Sequence, residues 1–370
     1  MPASTRSRRS TDDADMPNKR RKVEPAEDVE NALRDESLGE RSEEFWFEDG
    51  SIILAAQGMS FRVHKGVLAL RSDVFKTLLD DPSLEQLEGC PVLRVEDRGR
   101  DLRDLLHIMY NGGKSDWLSS SRPPIQYSAF RRVVDIALKY NIEEVLSEAR
   151  YKLSRVFPTD SVENWHNGLR ADDDDTPLVL CHADCIDLVR ITRLLAMNSI
   201  LPLVLYACCN IRPLGRFAHG VTLEGVSDPV TLAPNDLGLC LRGLNRLMLE
   251  SGRLMRVFQD LAFSSRARSD QCATLAQCRQ ALQLLSLAAV DGGLYSDPSA
   301  IDFMDSWLDQ QEKKPNAKPC QHCDTVLRDL INERREQTWC KLGKIFEVAE
   351  WPAGQKKPAD EPVADAPAAA

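Results

Sequence analysis

Apolar residues are sparse up to residue 43 and then recur in two different periods. Phe45-Trp46-Phe47 opens the ordered part. Ile52–Ala56 and Met59–Val63 read as two strands, with Gln57-Gly58 as the two-residue connection of a hairpin. From His64 the spacing becomes helical. Val67, Leu68 and Leu70 mark one helix, and Ser72 is placed as the N-cap of a second carrying Val74, Phe75, Leu78 and Leu79. Pro91–Val95 reads as a further strand. Asp101 caps a helix with Leu102, Leu105, Leu106 and Met109 on one face, and Gly112–Pro124 is a loop. Phe130, Val133, Val134, Ala137 and Leu138 form the stripe of the next helix, which Ile142–Leu153 follows.

Pro158 and the polar stretch to Pro177 mark a boundary. Beyond it the pattern is helical, over Leu178–Met197, Leu201–Asn210, Asp236–Glu250, Cys272–Val290, Ile301–Gln311 and Asp324–Trp339. Prolines punctuate these segments, and no fixed repeat length joins them. The expected class is α+β: a small sheet with a helical cluster over 44–155, a linker over 156–176, and an all-α domain over 177–351. Residues 1–43 and 352–370 are expected to be disordered, since so polar a chain cannot offset its ordering entropy.

Composition narrows the classes. The chain has 370 residues, is 43% hydrophobic and 28% charged, and carries a formal net charge of −10. That balance speaks against a nucleic-acid coat, and no direct nucleic-acid contact is expected. No apolar run reaches the ~18 residues of a membrane span, and no apolar stretch follows the N-terminal charges as in a secretory signal. The charges at the N-terminus fall in blocks. Met1–Val23 has seven Lys/Arg against three Asp, and Glu24–Glu44 has nine Asp/Glu against two Arg. Eleven cysteines, an odd and irregularly spaced set, speak against a disulfide framework.

The run Asp49-Gly50-Ser51-Ile52-Ile53-Leu54, followed by Phe61-Arg62-Val63-His64-Lys65-Gly66-Val67-Leu68-Ala69-Leu70-Arg71-Ser72-Asp73-Val74-Phe75, closely resembles the core of the BTB/POZ family. An Asp before a hairpin, a Phe-x-x-His-Lys step and a Leu-x-x-x-Ser-x-x-Phe step occur in order. The resemblance implies a protein-interaction module with Phe61, Val63, Leu68 and Phe75 in its core, His64 at a strand-to-helix step and Ser72 beside it. Glu44–Ser51, Leu201-Pro202, Cys320-Gln321-His322-Cys323, Trp339, Phe346 and Trp351 are similar to features of a large fungal group of these proteins, the basidiomycete type. The chain departs from that group at Gly343-Lys344-Ile345, where Leu-Pro is usual before the Phe.

The resemblance also offers sites. Asp49 and Lys65 stand where some BTB dimers form a charged pocket, which orients a peptide by charged hydrogen bonds; alternatively Asp49 starts the hairpin and Lys65 is solvated, which energetics favours. Leu87-Glu88, or Leu84 with Gln86, stands where cullin-recruiting members carry a hydrophobic-x-Glu segment; a polar surface loop is the competing reading. Pro17–Val23, with Lys19, Arg20, Arg21 and Lys22, resembles a nuclear import signal, so an import receptor and the nucleus, with or without the cytoplasm, are the expected partner and location.

Metal and thiol chemistry finds less. Cys320-x-x-Cys323 supplies half of a zinc site, and only His322 and Cys340 are at hand to complete it, so no metal is expected. Cys181, His182 and Cys185 read as helix core rather than a nucleophile, and Asp172–Asp175 lacks the ligand pattern of a calcium loop. No Gly-rich phosphate loop, His-Glu-x-x-His or Gly-x-Ser-x-Gly occurs. The reading is a non-enzymatic adaptor or scaffold with protein partners, a BTB-mediated homodimer among them, and no cofactor. A substrate adaptor of a cullin-type ubiquitin ligase, a nuclear transcription-associated scaffold and a thiol enzyme are the alternatives.

Overall fold

The computed structural model describes residues 38–352, apart from 88, 113–116, 118–123, 169–175, 214, 264–271 and 273. The chain divides into two compact units. Among the described residues, one holds Leu38–Val63 together with those of 84–99; the other holds His64–Ser83 and those from Arg100 on.

The first unit is a five-stranded sheet in the order β1-β3-β2-β5-β4. Its strands are β1 (Glu40–Trp46), β2 (Ile52–Gln57), β3 (Met59–Val63), β4 (Glu85–Leu87) and β5 (Cys90–Arg98). The β2–β3 hairpin pairs Ile52 with Val63 and Ala56 with Met59, so Gln57-Gly58 is its turn. Gly58 has a φ of +78°, which a glycine adopts without steric cost. β1 runs parallel to β3 and β5 parallel to β2. Strand β1 takes in Glu40–Glu43, which the polar pattern had left outside the fold. It is an edge strand that buries only Ser42 and Phe45, so its apolar signal is weak. Leu38 just ahead of it is buried with Ile53, Ala55, Cys90 and Val92.

The second unit is helical. α1 (Lys65–Arg71) and α2 (Asp73–Leu79) follow directly from the hairpin. Ser72 caps α2, its Oγ accepting from the Phe75 N–H at 3.0 Å, and the hydroxyl donates to the Tyr140 carbonyl. Phe75 then stacks on Tyr140 with ring centroids 4.1 Å apart. α3 (Gly99–Asn111) begins before Asp101, which lies in its first turn rather than at its cap. α4 (Tyr127–Lys139) and α5 (Glu143–Val156) complete the expected series. Leu70, expected on the apolar stripe of α1, is 85% exposed, because Leu68 alone of that helix is buried.

After α6 (Val162–Gly168) the chain departs from the expected helix over Leu178–Met197. Leu178–Val179 is a two-residue strand, β7, pairing in parallel with Ile125–Gln126, β6. A 3-10 turn at His182–Asp184 separates it from α7 (Cys185–Leu194). These contacts tie the start of the helical half to α4. α8 (Leu201–Cys209) is buried at every position, which fits its continuous apolar run. α9 (Gly215–His219) and a 30-residue helix, α10 (Pro234–Phe263), follow.

α10 packs with α11 (Leu275–Asp291), α12 (Ala300–Gln311) and α13 (Gln321–Cys340) around Phe258, Leu285, Met304, Leu308, Leu327 and Ile331. Burying aliphatic and aromatic side chains of this size contributes roughly 1.5–3 kcal/mol each. α14 (Leu342–Ile345) ends the described helices, and Trp351 closes the fold, its indole N–H donating to the Trp339 carbonyl at 2.9 Å. No described helix is long and apolar enough to cross a membrane.

Candidate functional site

The structure places the residues of the BTB-like pattern at the junctions of the elements. Asp49 is exposed in the turn between β1 and β2, where the Gly50 N–H donates to the Phe47 carbonyl at 3.0 Å. Lys65 is the first residue of α1. His64 precedes it, and Tyr110 on α3 holds it twice: the Tyr110 hydroxyl accepts from the His64 backbone N–H at 2.9 Å and lies 3.0 Å from Nδ1. The phenol can donate to Nδ1 when the ring proton sits on Nε2. His64 therefore fixes the entry to α1, a positioning role. Phe61 and Val63 in the sheet, and Leu68 and Phe75 in the helices, are each fully buried.

The Leu84–Glu88 segment is not a loop. Glu85–Leu87 forms β4, a three-residue edge strand antiparallel to β5, and Leu87 pairs with Cys90. Leu87 is half-buried and packs on the Leu38–Ile53–Val92 cluster, so much of its side chain serves the sheet. Glu88 lies outside the described residues, as do Lys19, Arg20, Arg21 and Lys22, the tail from 353 and Asp172–Asp175.

Cys181 and Cys185 do not share a helix, since Cys181 precedes the 3-10 turn and Cys185 begins α7. Burial raises both thiols, Cys185 well above the usual range, with the Asp184 carboxylate adding to it. A thiol held protonated is a poor nucleophile. Cys181 lines an open cleft of about 350 Å³ with Tyr127, Arg131, Asp184 and Glu224.

A second group of sulfurs lies at one end of the α10–α13 core. Cys320 is the N-cap of α13 and Cys323 sits in its first turn. Cys340, offered by the sequence to complete that pair, ends the same 20-residue helix, about 30 Å away at the usual 1.5 Å rise. There it lines a different cleft with Gly343, Glu347 and Trp351. Cys272 and Cys278 take the place beside Cys320 and Cys323, and the four sulfurs all lie within 4.8 Å of one another. Cys272 Sγ is 3.7 Å from Cys278 Sγ and 3.9 Å from Cys320 Sγ. The Cys320 N–H donates to Cys278 Sγ at 3.2 Å, and Thr274 Oγ1 lies 3.4 Å from the same sulfur. The expectation of an unfinished half-site is thus corrected: the second pair exists, and it is Cys272-x5-Cys278. The sequence reading took both into the helix Cys272–Val290, but α11 starts at Leu275, and Cys272 lies ahead of it.

Comparison with known proteins agrees with the hairpin and helix arrangement: residues 50–155 match the model of the BTB/POZ domain. The chain therefore carries a BTB/POZ domain, a small sheet with helices, followed by a helical C-terminal region. No curated protein matches the chain.

Proposed function

We propose that this protein is a non-enzymatic adaptor or scaffold. Its BTB/POZ domain self-associates or recruits a protein partner, and its helical half supplies a second binding surface. The observation that carries this reading is the match of residues 50–155 to a domain whose general role is protein–protein interaction. Leu70, 85% exposed on α1 of that domain, is the apolar side chain this reading assigns to the contact with a partner. Joining two binding surfaces in one chain raises the effective concentration of one ligand near the other, which is how an adaptor works physically.

Two finer readings extend this one. The first is a substrate adaptor for a cullin-type ubiquitin ligase, with Leu87 and Glu88 in the recruiting segment. The second is a nuclear transcription-associated scaffold, in which Lys19–Lys22 bind an import receptor and bring the chain to the nucleus. Membership of the basidiomycete-type group rests on the sequence features at Glu44–Ser51 and the C-terminal Trp339, Phe346 and Trp351. Affinity purification with mass spectrometry, comparing the intact chain with one lacking residues 1–23, separates the two. A cullin scaffold recovered with both chains supports the ligase adaptor. Chromatin-associated proteins recovered only with the intact chain support the nuclear scaffold. Recovery of neither class contradicts both.

A further inference from the structure

We infer that Cys272, Cys278, Cys320 and Cys323 form a structural site for one zinc ion, which clasps the N-termini of α11 and α13. The geometry is that of a single tetrahedral ion. Four thiolates bound to zinc at ~2.3 Å stand about 3.8 Å from one another. The Cys272–Cys278 and Cys272–Cys320 separations of 3.7 and 3.9 Å bracket that value. A disulfide requires sulfurs at ~2.05 Å, and multi-iron clusters distribute their thiolates over separate metal atoms, farther apart than a single ion's ligands.

The helices direct the ligands inward. Cys278 precedes Leu282 by one helical turn, and Cys323 precedes Leu327 by the same interval. Both leucines lie in the α10–α13 core, so each cysteine continues a buried stripe at its open end. Cys278 and Cys323 are buried while Cys272 and Cys320 are partly exposed, which leaves an entry path for the ion. A helix N-terminus favours negative charge, and two of them converge here. The 3.2 Å bond from the Cys320 N–H to Cys278 Sγ is the kind of outer contact that orients a thiolate ligand. Four protein sulfurs complete the coordination, so the site has no open position for substrate, and its role is to hold the fold.

The test uses the full chain purified under reducing conditions without chelator. Elemental analysis is expected to find about one zinc per chain. Cys278→Ser and Cys323→Ser each lose most of that zinc, whereas Cys340→Ser and Cys181→Ser retain it. Because a ligand variant can fail to fold, the unaltered chain is examined as well. Cobalt exchanged into it shows the visible absorption of tetrahedral tetrathiolate cobalt, and chelation makes four protected thiols reactive to alkylation. Purified chain with less than about a tenth of a zinc and freely reactive thiols overturns the inference, since structural sites bind zinc tightly. Cys pairs recovered as disulfides, or one iron in place of zinc, overturn it equally.

Discussion

The Tyr127 hydroxyl on α4 donates a hydrogen bond of 2.9 Å to the Asp187 carboxylate on α7, across 60 residues of sequence. Asp187 is only 2% exposed, and Arg131 and Arg190 also reach it, at 2.8 and 2.9 Å. Burial and the Asp187 charge push the Tyr127 phenol well above its usual range, so it stays a donor. Together with the β6–β7 pairing, this cluster fastens the last helices of the BTB/POZ segment to the first helices of the C-terminal region. Removing one partner of a buried pair leaves the others uncompensated. Asp187→Ala is therefore expected to cost about 3 kcal/mol, the low end for such a loss because Arg190 is 43% exposed. Asp187→Asn, which still accepts from Tyr127, costs less. Urea titration followed by circular dichroism measures both, and an Asp187→Ala midpoint equal to the parent's would contradict the linkage.

Ser72 does two jobs at the step between α1 and α2, capping Phe75 and bonding to the Tyr140 carbonyl. Loss of a Ser N-cap costs about 0.5–2 kcal/mol. Ser72→Ala should fall at or above the upper end, since the Tyr140 carbonyl loses its donor too. Ser72→Thr keeps a hydroxyl for both bonds and is expected to recover part of the loss in thermal melts, whereas a Ser72→Ala melt equal to the parent's would show that the cap contributes nothing.

Gly243 lies within α10, where alanine would ordinarily improve helix propensity by about 1 kcal/mol. A Cβ built there falls 2.2 Å from Cε1 of Phe346, a fully buried ring. The expected sign is thus reversed, with Gly243→Ala destabilising by about 1–3 kcal/mol through overpacking. The paired change Gly243→Ala with Phe346→Leu should recover stability relative to the single Gly243 change. A raised melting temperature for Gly243→Ala alone would rule out the contact.

Burial lifts the Asp302 carboxyl to about 6, even though Tyr206 and Trp165 donate to it at 2.8 and 3.2 Å. The folded protein then holds this proton more tightly than the unfolded chain does. The group's contribution to stability is complete below its ordinary value of 3.8 and is lost as pH rises through about 6. Asp302→Asn removes this loss, so the variant is expected to gain stability relative to the parent as pH rises through this window. Melting curves of the two proteins that stay parallel from pH 4 to neutral would show that Asp302 titrates normally.

Much of the BTB/POZ segment was legible because its signals are local. The hairpin follows from a two-residue turn between alternating strands, and the Ser72 cap from a hydroxyl ahead of Val74 and Phe75. Leu178–Val179 was misread as helix because a two-residue strand carries no period, and its partner is 53 residues upstream at Ile125. The sulfur site was half legible. Cys320-x-x-Cys323 announces itself, but Cys278 stands 42 residues from Cys320 and Cys272 hides beside a helical run. Only tertiary packing brings the two pairs together, and no local spacing encodes that. Cys340 was the wrong complement because a straight helix carries it to the far end.

Cross-linking in intact cells with an amine-reactive reagent, followed by mass spectrometry, tests the central claim most directly. Lys65 and Lys76 stand on α1 and α2 of the BTB/POZ segment, with Lys76 exposed. An interaction module there is expected to yield links from these lysines to a second polypeptide, either another copy or a different protein, and to lose them with Leu70→Glu. That substitution should leave stability within about 0.5 kcal/mol, because Leu70 is an exposed surface residue. Links confined to the same chain, together with sedimentation as a monomer in the cell extract, would contradict the account.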